Sequence, residues 1–142
     1  MKKYLGACAT VMLVMGLLDA LWIGWLARSV YQQGLGHLMA QQVQPAAAVA
    51  FYLVYGVGLM VFVVAPEGAS TTWNRTLRRG ALFGFVAYAV YDLTNLATLR
   101  DWPLNVALMD MAWGSIASLA AAAAGKLAFD RISGPNPGAP AR

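Results

Sequence analysis

The sequence predicts an all-α membrane protein built as a bundle of four transmembrane helices. Of its 142 residues, 60% are hydrophobic and 11% are charged, and the mean hydropathy is +0.58. This composition leaves too little polar surface for a water-soluble domain of this size. Four apolar segments, residues 4–27, 46–65, 80–99 and 104–126, approach the roughly 20 residues that a helix needs to cross a bilayer.

Basic residues at the ends of these segments predict the orientation of the bundle. Lys and Arg favour the cytoplasmic side of a membrane. If both termini are cytoplasmic, eight of the ten basic residues lie on that side: Lys2, Lys3, Arg75, Arg78, Arg79, Lys126, Arg131 and Arg142. The two exceptions are Arg28 and Arg100. We therefore expect an N-in/C-in multi-pass protein of the bacterial inner membrane. Its first segment is long enough to be an uncleaved helix rather than a signal peptide.

The connection from Arg28 to Pro45 predicts a short interfacial helix between the first and second transmembrane helices. Its apolar residues recur at near-helical spacing: Tyr31, Leu35, Leu38, Met39 and Val43. Such a helix would lie in the headgroup layer and cover what lies beneath it. Residues 1–130 then form one transmembrane domain. Residues 131–142, rich in Gly and Pro, are expected to be a disordered cytoplasmic tail.

Three acidic residues lie inside the apolar segments, where an Asp costs roughly 2.5 to 3.5 kcal/mol. Asp19 lies eight residues before the outer end of its segment, Asp92 lies seven before, and Asp110 lies six after. With a rise of about 1.5 Å per residue, all three are about 9–12 Å below the outer boundary. This shared level predicts one site in which the three acids are candidate acid–base residues.

Each acid is followed three residues later by a hydrogen-bond donor, in the pairs Asp19 and Trp22, Asp92 and Asn95, and Asp110 and Trp113. Because residues three apart share a helix face, the pattern predicts that each donor serves the acid of its own helix. Four tyrosines are predicted to complete the walls of a substrate pocket: Tyr52 and Tyr55 from the second segment, and Tyr88 and Tyr91 from the third.

The cytoplasmic halves of the third and fourth segments carry small residues instead. These are Gly80, Gly84, Ala117, Ala120, Ala121, Ala124 and Gly125. Small side chains let helix backbones approach closely in lipid. We therefore expect a bundle that is packed tightly on the cytoplasmic side and open toward the outer leaflet or periplasm.

The composition also excludes several kinds of site. The single cysteine, Cys8, cannot form an internal disulfide, and with His37 as the only histidine one chain cannot build a zinc or bis-His haem site. We expect neither a metal nor a cofactor. The net charge of +4 comes largely from residues that flank the apolar segments. This favours membrane lipids rather than nucleic acid as partners.

Several of these motifs together resemble a known bacterial membrane family. They are Tyr91-Asp92-Leu93-Thr94-Asn95-Leu96-Ala97-Thr98, the Trp102-Pro103 turn, Asp110-x-x-Trp113-Gly114 and Asp19-x-x-Trp22. The family they resemble is catalogued as domain of unknown function 2177, and the resemblance extends to about Lys126. It implies a small polytopic inner-membrane protein and leaves the activity open.

Three functions are compatible with the sequence. Carboxylates that lie close together in a medium of low dielectric cannot all stay ionised, so one pocket would hold both an acid and a base. The first hypothesis is therefore a pocket that binds a lipid or lipid-like substrate and modifies it by acid–base chemistry. The second is a homodimeric transporter coupled to protons or cations, and the third is a non-catalytic membrane assembly subunit. A pocket open on one side favours the first.

Overall fold

The chain folds into helical rods joined by short connections. The computed structural model describes residues 1–67 and 72–134. In chain order the elements are α1 (Lys2–Leu21), a π-helical turn (Trp22–Leu26), α2 (Arg28–Leu35), α3 (Pro45–Leu59), a second π-helical turn (Met60–Val64), α4 (Ala65–Glu67), α5 (Trp73–Thr98) and α6 (Leu104–Ser133). The π-helical turns follow α1 and α3 directly. Each of these two helices therefore forms one continuous rod with the turn that follows it.

In the described part of the chain, three rods are long and apolar enough to cross a membrane. They are Lys2–Leu26, Pro45–Val64 and Leu104–Ser133, and they agree with the first, second and fourth apolar segments of the sequence. The α5 helix has 26 residues, which is also sufficient length. It is not among these three, and the stretch that follows its three arginines includes the polar residues Asp92 and Asn95. The fourth span, at residues 80–99, stays a prediction.

Small residues bring α5 and α6 together in an antiparallel pair. A Cβ atom added at Gly80 would lie 2.8 Å from the Cβ of Ala122. One added at Gly84 would overlap the backbone oxygen of Gly114 and the hydroxyl of Ser118. Such close backbone contact requires residues without a side chain. Since later residues of α5 meet earlier residues of α6, the two helices run in opposite directions.

The α1 helix packs antiparallel against both α6 and α3. The close contacts are Gly6 with Ile132, Val11 with Gly125, and Met12 with Gly56. The hydrophobic core lies between these rods and consists of Ala7, Val11, Met15, Leu59, Met60, Val63, Val64, Ala117, Ala121, Ala122 and Phe129. Most of these side chains are small or medium-sized and fully buried. The half of the bundle that holds the start of α1 and the end of α6 is therefore tightly packed.

The short helix predicted after the first segment is present as α2, but it is shorter than the apolar spacing suggested. It ends at Leu35, whereas the spacing continues to Val43. Gly34 and Gly36 lie at this end, and glycine disfavours continuation of a helix.

The last helix extends beyond its predicted end at Lys126. It continues to Ser133, and a salt bridge of 3.0 Å joins Lys126 to Asp130 one turn later. Residues 131–133 of the predicted tail are therefore helical. Gly134 follows the end of this helix, and residues 135–142 of the tail lie outside the described residues.

Replacing Gly84 by alanine is expected to destabilise the protein. The added methyl group would enter space that the backbone of Gly114 occupies, so α5 and α6 would have to separate. Overpacking of this kind costs about 1–3 kcal/mol. The free energy of unfolding, measured by denaturant titration in detergent micelles, should fall by about this amount.

Gly24→Ala is the matched control, because an added Cβ at Gly24 meets no atom within 4 Å. Its free energy of unfolding should stay within about 0.5 kcal/mol of the wild type. Equal stability of the two variants would contradict the close packing of α5 on α6.

Candidate functional site

A cavity of about 670 Å³ lies at the end of the bundle where α1 ends and where α3 and α6 begin. Its lining residues are Asp19, Trp22, Ile23, Tyr31, Val43, Ala48, Phe51, Tyr52, Tyr55, Ala87, Tyr88, Tyr91, Asp110 and Trp113. Eight of these fourteen side chains are aromatic, and none of the fourteen is Lys, Arg or His. The cavity is thus an apolar chamber whose two charged side chains are both acidic.

The two acids of the cavity accept hydrogen bonds from aromatic donors. The indole N–H of Trp113 donates to Oδ1 of Asp19 over 3.1 Å. The indole N–H of Trp22 donates to the hydroxyl of Tyr31 over 3.2 Å, and that hydroxyl donates to Oδ1 of Asp110. The two indole rings stack face to face, with centroids 4.2 Å apart and planes 3° from parallel. One continuous aromatic cluster therefore holds both carboxylates.

This arrangement shows that the predicted pairing within each helix was wrong. Trp113 serves the acid of α1 and not Asp110 of its own helix, while Trp22 reaches toward Asp110 of α6 through Tyr31. The antiparallel packing explains the exchange. In α1 the indole follows its acid toward one end of the bundle, and in α6 it follows its acid toward the other end. Each indole therefore lies at the level of the acid on the opposite helix.

Tyr31 is a polar residue of the chamber that the sequence pattern does not assign to it, because its spacing places it only on the apolar face of a surface helix. The α2 helix places its hydroxyl against Asp110. Burial, together with this hydrogen bond, raises the pKa of Tyr31 above its ordinary value of 10.0. The hydroxyl therefore keeps its proton and acts as the donor. The chemistry of tyrosine could have indicated this contact, because the hydroxyl of a buried tyrosine usually makes a hydrogen bond.

The predicted tyrosines form the remaining walls of the cavity. Tyr52 of α3 lies next to the carboxylate of Asp19. The hydroxyl of Tyr55 shares a hydrogen bond of 2.7 Å with that of Ser118 on α6. The ring of Tyr88 lies directly over Gly114, where any added Cβ would overlap it. These contacts fix the rings to the helices on either side of the chamber.

Asp92 lies beside the cavity and does not line it. Its side chain is fully buried, and neither carboxylate oxygen accepts a hydrogen bond. The buried indole N–H of Trp102 is close to this carboxylate but also makes no hydrogen bond. Because Asp92 is about a quarter turn around α5 from the residues that line the cavity, it is separated from the chamber, although its charge lies near Asp110.

Asn95 is also outside the lining of the cavity. It is half-buried one turn beyond Tyr91, toward the end of α5, and its side chain lies close to the hydroxyl of Tyr91. The assignment of Asp92 and Asn95 to the functional site therefore stays a prediction. Of the ten residues predicted for this site, the other eight line the chamber.

Side chains that could ligate a metal ion do not cluster among the described residues. Within residues 1–67 and 72–134, no group of three or more His, Cys, Asp or Glu side chains is placed to hold a metal ion. The polar groups that face the cavity are two carboxylates, several tyrosine hydroxyls and two indoles. Such a set suits hydrogen bonding and proton transfer with an organic molecule.

Comparison with known proteins identifies the family. The family model described as "Predicted membrane protein (DUF2177)" matches residues 4–127, nearly the whole chain. The chain belongs to this family, which confirms the resemblance that its motifs indicate. No curated protein and no solved structure matches the chain.

Replacing Tyr31 by phenylalanine is expected to weaken the structure of the site. The change removes the donor to Asp110 and the acceptor for Trp22 while keeping the ring. A buried polar group that loses its partner costs about 1–3 kcal/mol. The free energy of unfolding in detergent should fall by about this amount.

Tyr4→Phe is the matched control, since the Tyr4 ring packs edge-on against Phe129 and phenylalanine preserves that contact. Its stability should not change measurably. If Tyr31→Phe were equally neutral, the hydrogen-bond chain from Trp22 to Asp110 would contribute nothing to the fold.

Proposed function

We propose that this protein binds a lipid or lipid-like molecule in the cavity between α1, α3, α5 and α6. The observation that carries the proposal is a chamber of about 670 Å³ with aromatic walls and two carboxylates, each of which accepts a hydrogen bond from a neutral donor. Its volume lies within the range of about 300–1,000 Å³ that is typical of ligand pockets. Pockets of this kind combine mostly apolar walls with a few polar groups that orient the ligand.

The rim of the chamber supports entry from a bilayer. Several lining residues are apolar and partly exposed at the protein surface, with exposed fractions of 52% for Ile23, 83% for Val43 and 41% for Phe51. An apolar rim of this kind is suited to contact with the acyl chains of a bilayer. A lipid-like ligand would thus reach Asp19 and Asp110 with its polar end while its chain stays in apolar surroundings.

The orientation proposed for this chamber is toward the outer leaflet or periplasm of a bacterial inner membrane. We take α5 as the fourth transmembrane helix, with both termini cytoplasmic. The alternation of directions along α1, α3, α5 and α6 supports this arrangement. The arginines at the start of α5 then share one end of the bundle with Lys2 and Lys3, as the preference of basic residues for the cytoplasmic side requires.

A chamber at one end of the bundle favours ligand binding over transport. The other half is filled by buried side chains and by the close contact of α5 with α6. A transporter needs access to its site from both sides in turn, whereas the described residues of that half are closely packed. Homodimeric transport and membrane assembly therefore remain less supported alternatives.

The same cavity suggests how a bound molecule would be modified. Asp19 and Asp110 both face the chamber, and their charges lie close enough to interact. Two carboxyl groups that share a site of low dielectric divide the roles of general acid and general base. Isomerisation of an acyl or isoprenoid chain would need only these groups, and hydrolysis or hydration would need water as the second reactant. Asp92 would act on this pair through Asp110, since it does not reach the cavity itself.

Filling the cavity is expected to prevent ligand binding. In Ala48→Phe the larger side chain would occupy part of the chamber, whereas Ala50→Phe on the same helix introduces the same residue outside the lining. The probe is stearyl alcohol with a nitroxide near its polar end, added to protein in dodecyl maltoside micelles. Nitroxide quenching of tryptophan fluorescence reports binding near Trp22 and Trp113.

The background for both variants carries Trp25→Phe and Trp73→Phe, because these two indoles are exposed and would be quenched from the micelle. Trp102 remains in every variant and lies outside the lining of the chamber, so its fluorescence is a constant contribution. We expect quenching in Ala50→Phe to match that of this background, and quenching in Ala48→Phe to be largely lost. Equal quenching of the two variants, or no quenching in the background itself, would show that the chamber does not hold such a molecule.

A further inference from the structure

We propose that the polar end of the ligand is a single ammonium group, so that the substrate class is a cationic amphiphile such as an amine-bearing lipid. This inference rests on the proposed function and adds to it the charge of the headgroup. It follows from the charges, the hydrogen bonds and the aromatic surfaces of the chamber. Each of these favours a cation over a neutral or anionic headgroup.

The charges of the lining residues are all of one sign. Asp19 and Asp110 are the charged members of the lining, and both are 95% buried. Among the described residues, the groups that hydrogen-bond to them are neutral indole and hydroxyl donors rather than Lys or Arg. Neutral donors do not cancel the charge of a carboxylate. A cation bound near these acids would stabilise their ionised forms, whereas a phosphate or carboxylate headgroup would be repelled by them.

The hydrogen-bonding capacity of the two acids is only partly used. The indole of Trp113 and the hydroxyl of Tyr31 each donate to Oδ1 of their acid. An ionised carboxylate has about four lone-pair positions on its two oxygens. Tyr52 also lies next to Asp19, and Trp22 also lies next to Asp110. An ammonium group carries donors only, so it is complementary to the acceptor positions that remain on these acids.

Aromatic rings supply the second element of cation recognition. The lining of the chamber includes two tryptophans, five tyrosines and Phe51. The faces of such rings attract ammonium groups through their quadrupole, and aromatic cages for substituted ammonium ions use this property. The aliphatic remainder of the lining is suited to an alkyl chain.

A metal cation would fit this chamber poorly. Calcium requires six to eight oxygen ligands, and magnesium requires a near-octahedral set. Two carboxylates set among aromatic walls provide too few oxygens at close range. An organic ammonium ion needs only charge, acceptors and ring faces, and the chamber presents all three.

The test compares three probes that share one chain and differ in charge. Stearylamine, stearyl alcohol and stearic acid, each with a nitroxide near the polar end, are added to the protein in uncharged dodecyl maltoside micelles at neutral pH. Quenching of tryptophan fluorescence is measured in the Trp25→Phe/Trp73→Phe background. We expect half-maximal quenching by the amine at about one tenth or less of the concentration needed for the acid, with the alcohol between them.

The role of the two acids is tested with Asp19→Asn/Asp110→Asn in the same background. The preference for the amine over the alcohol should disappear in this variant, while quenching by the alcohol should persist. Asp101→Asn is the matched control, because Asp101 is an exposed acid outside the chamber. It should keep the preference of the background.

The outcomes separate this inference from the proposed function. Equal quenching by all three probes, or a preference for stearic acid, would overturn the ammonium inference and leave ligand binding intact. Absence of quenching by every probe would overturn both. The comparison of the three probes on the background protein needs no change at Asp19 or Asp110. It therefore decides the question even if the double variant does not fold.

Discussion

The structure depends on a crossed exchange of hydrogen bonds between α1 and α6. Two carboxylates are buried in apolar surroundings, where each would be costly without a donor. Trp113 supplies the donor for Asp19, and Trp22 supports Asp110 through Tyr31. The stacked rings of Trp22 and Trp113 join the two sets of hydrogen bonds into one unit. This unit fixes the register of α1 against α6 and so determines where the chamber forms.

The chamber forms where the small residues of the bundle give way to large ones. At Gly84 the backbones of α5 and α6 are in contact, and one turn later the ring of Tyr88 occupies the space over Gly114. From there the helices carry tyrosines and tryptophans, which hold the rods further apart. The same two helices thus close one half of the bundle and open the other.

Much of this architecture could be predicted from the sequence. The length and hydropathy of the apolar segments located the rods, and the contrast between Gly or Ala and aromatic residues indicated which half of the bundle is open. The helix rise predicted that the acids share one level along the bundle. Asp19 and Asp110 line one chamber, as the count from the segment ends suggests.

The partners of the acids could not be predicted in this way. Spacing along one helix shows which residues share a face, but it does not show which helix that face meets. For this reason Trp113 was assigned to Asp110 instead of Asp19. The sequence also does not show how α5 is rotated about its axis, and this rotation keeps Asp92 out of the lining of the chamber. The contact of Tyr31 required the position of α2, which depends on tertiary packing alone.

A double-mutant cycle tests the crossed exchange most directly. The free energy of unfolding in detergent is measured for Trp113→Phe, for Asp19→Leu and for the two combined, and a second cycle pairs Trp113→Phe with Asp110→Leu. The structure predicts a coupling energy of about 1 kcal/mol or more between Trp113 and Asp19, and a smaller one between Trp113 and Asp110. Coupling confined to Trp113 and Asp110 would contradict the crossed exchange and the register of α1 on α6.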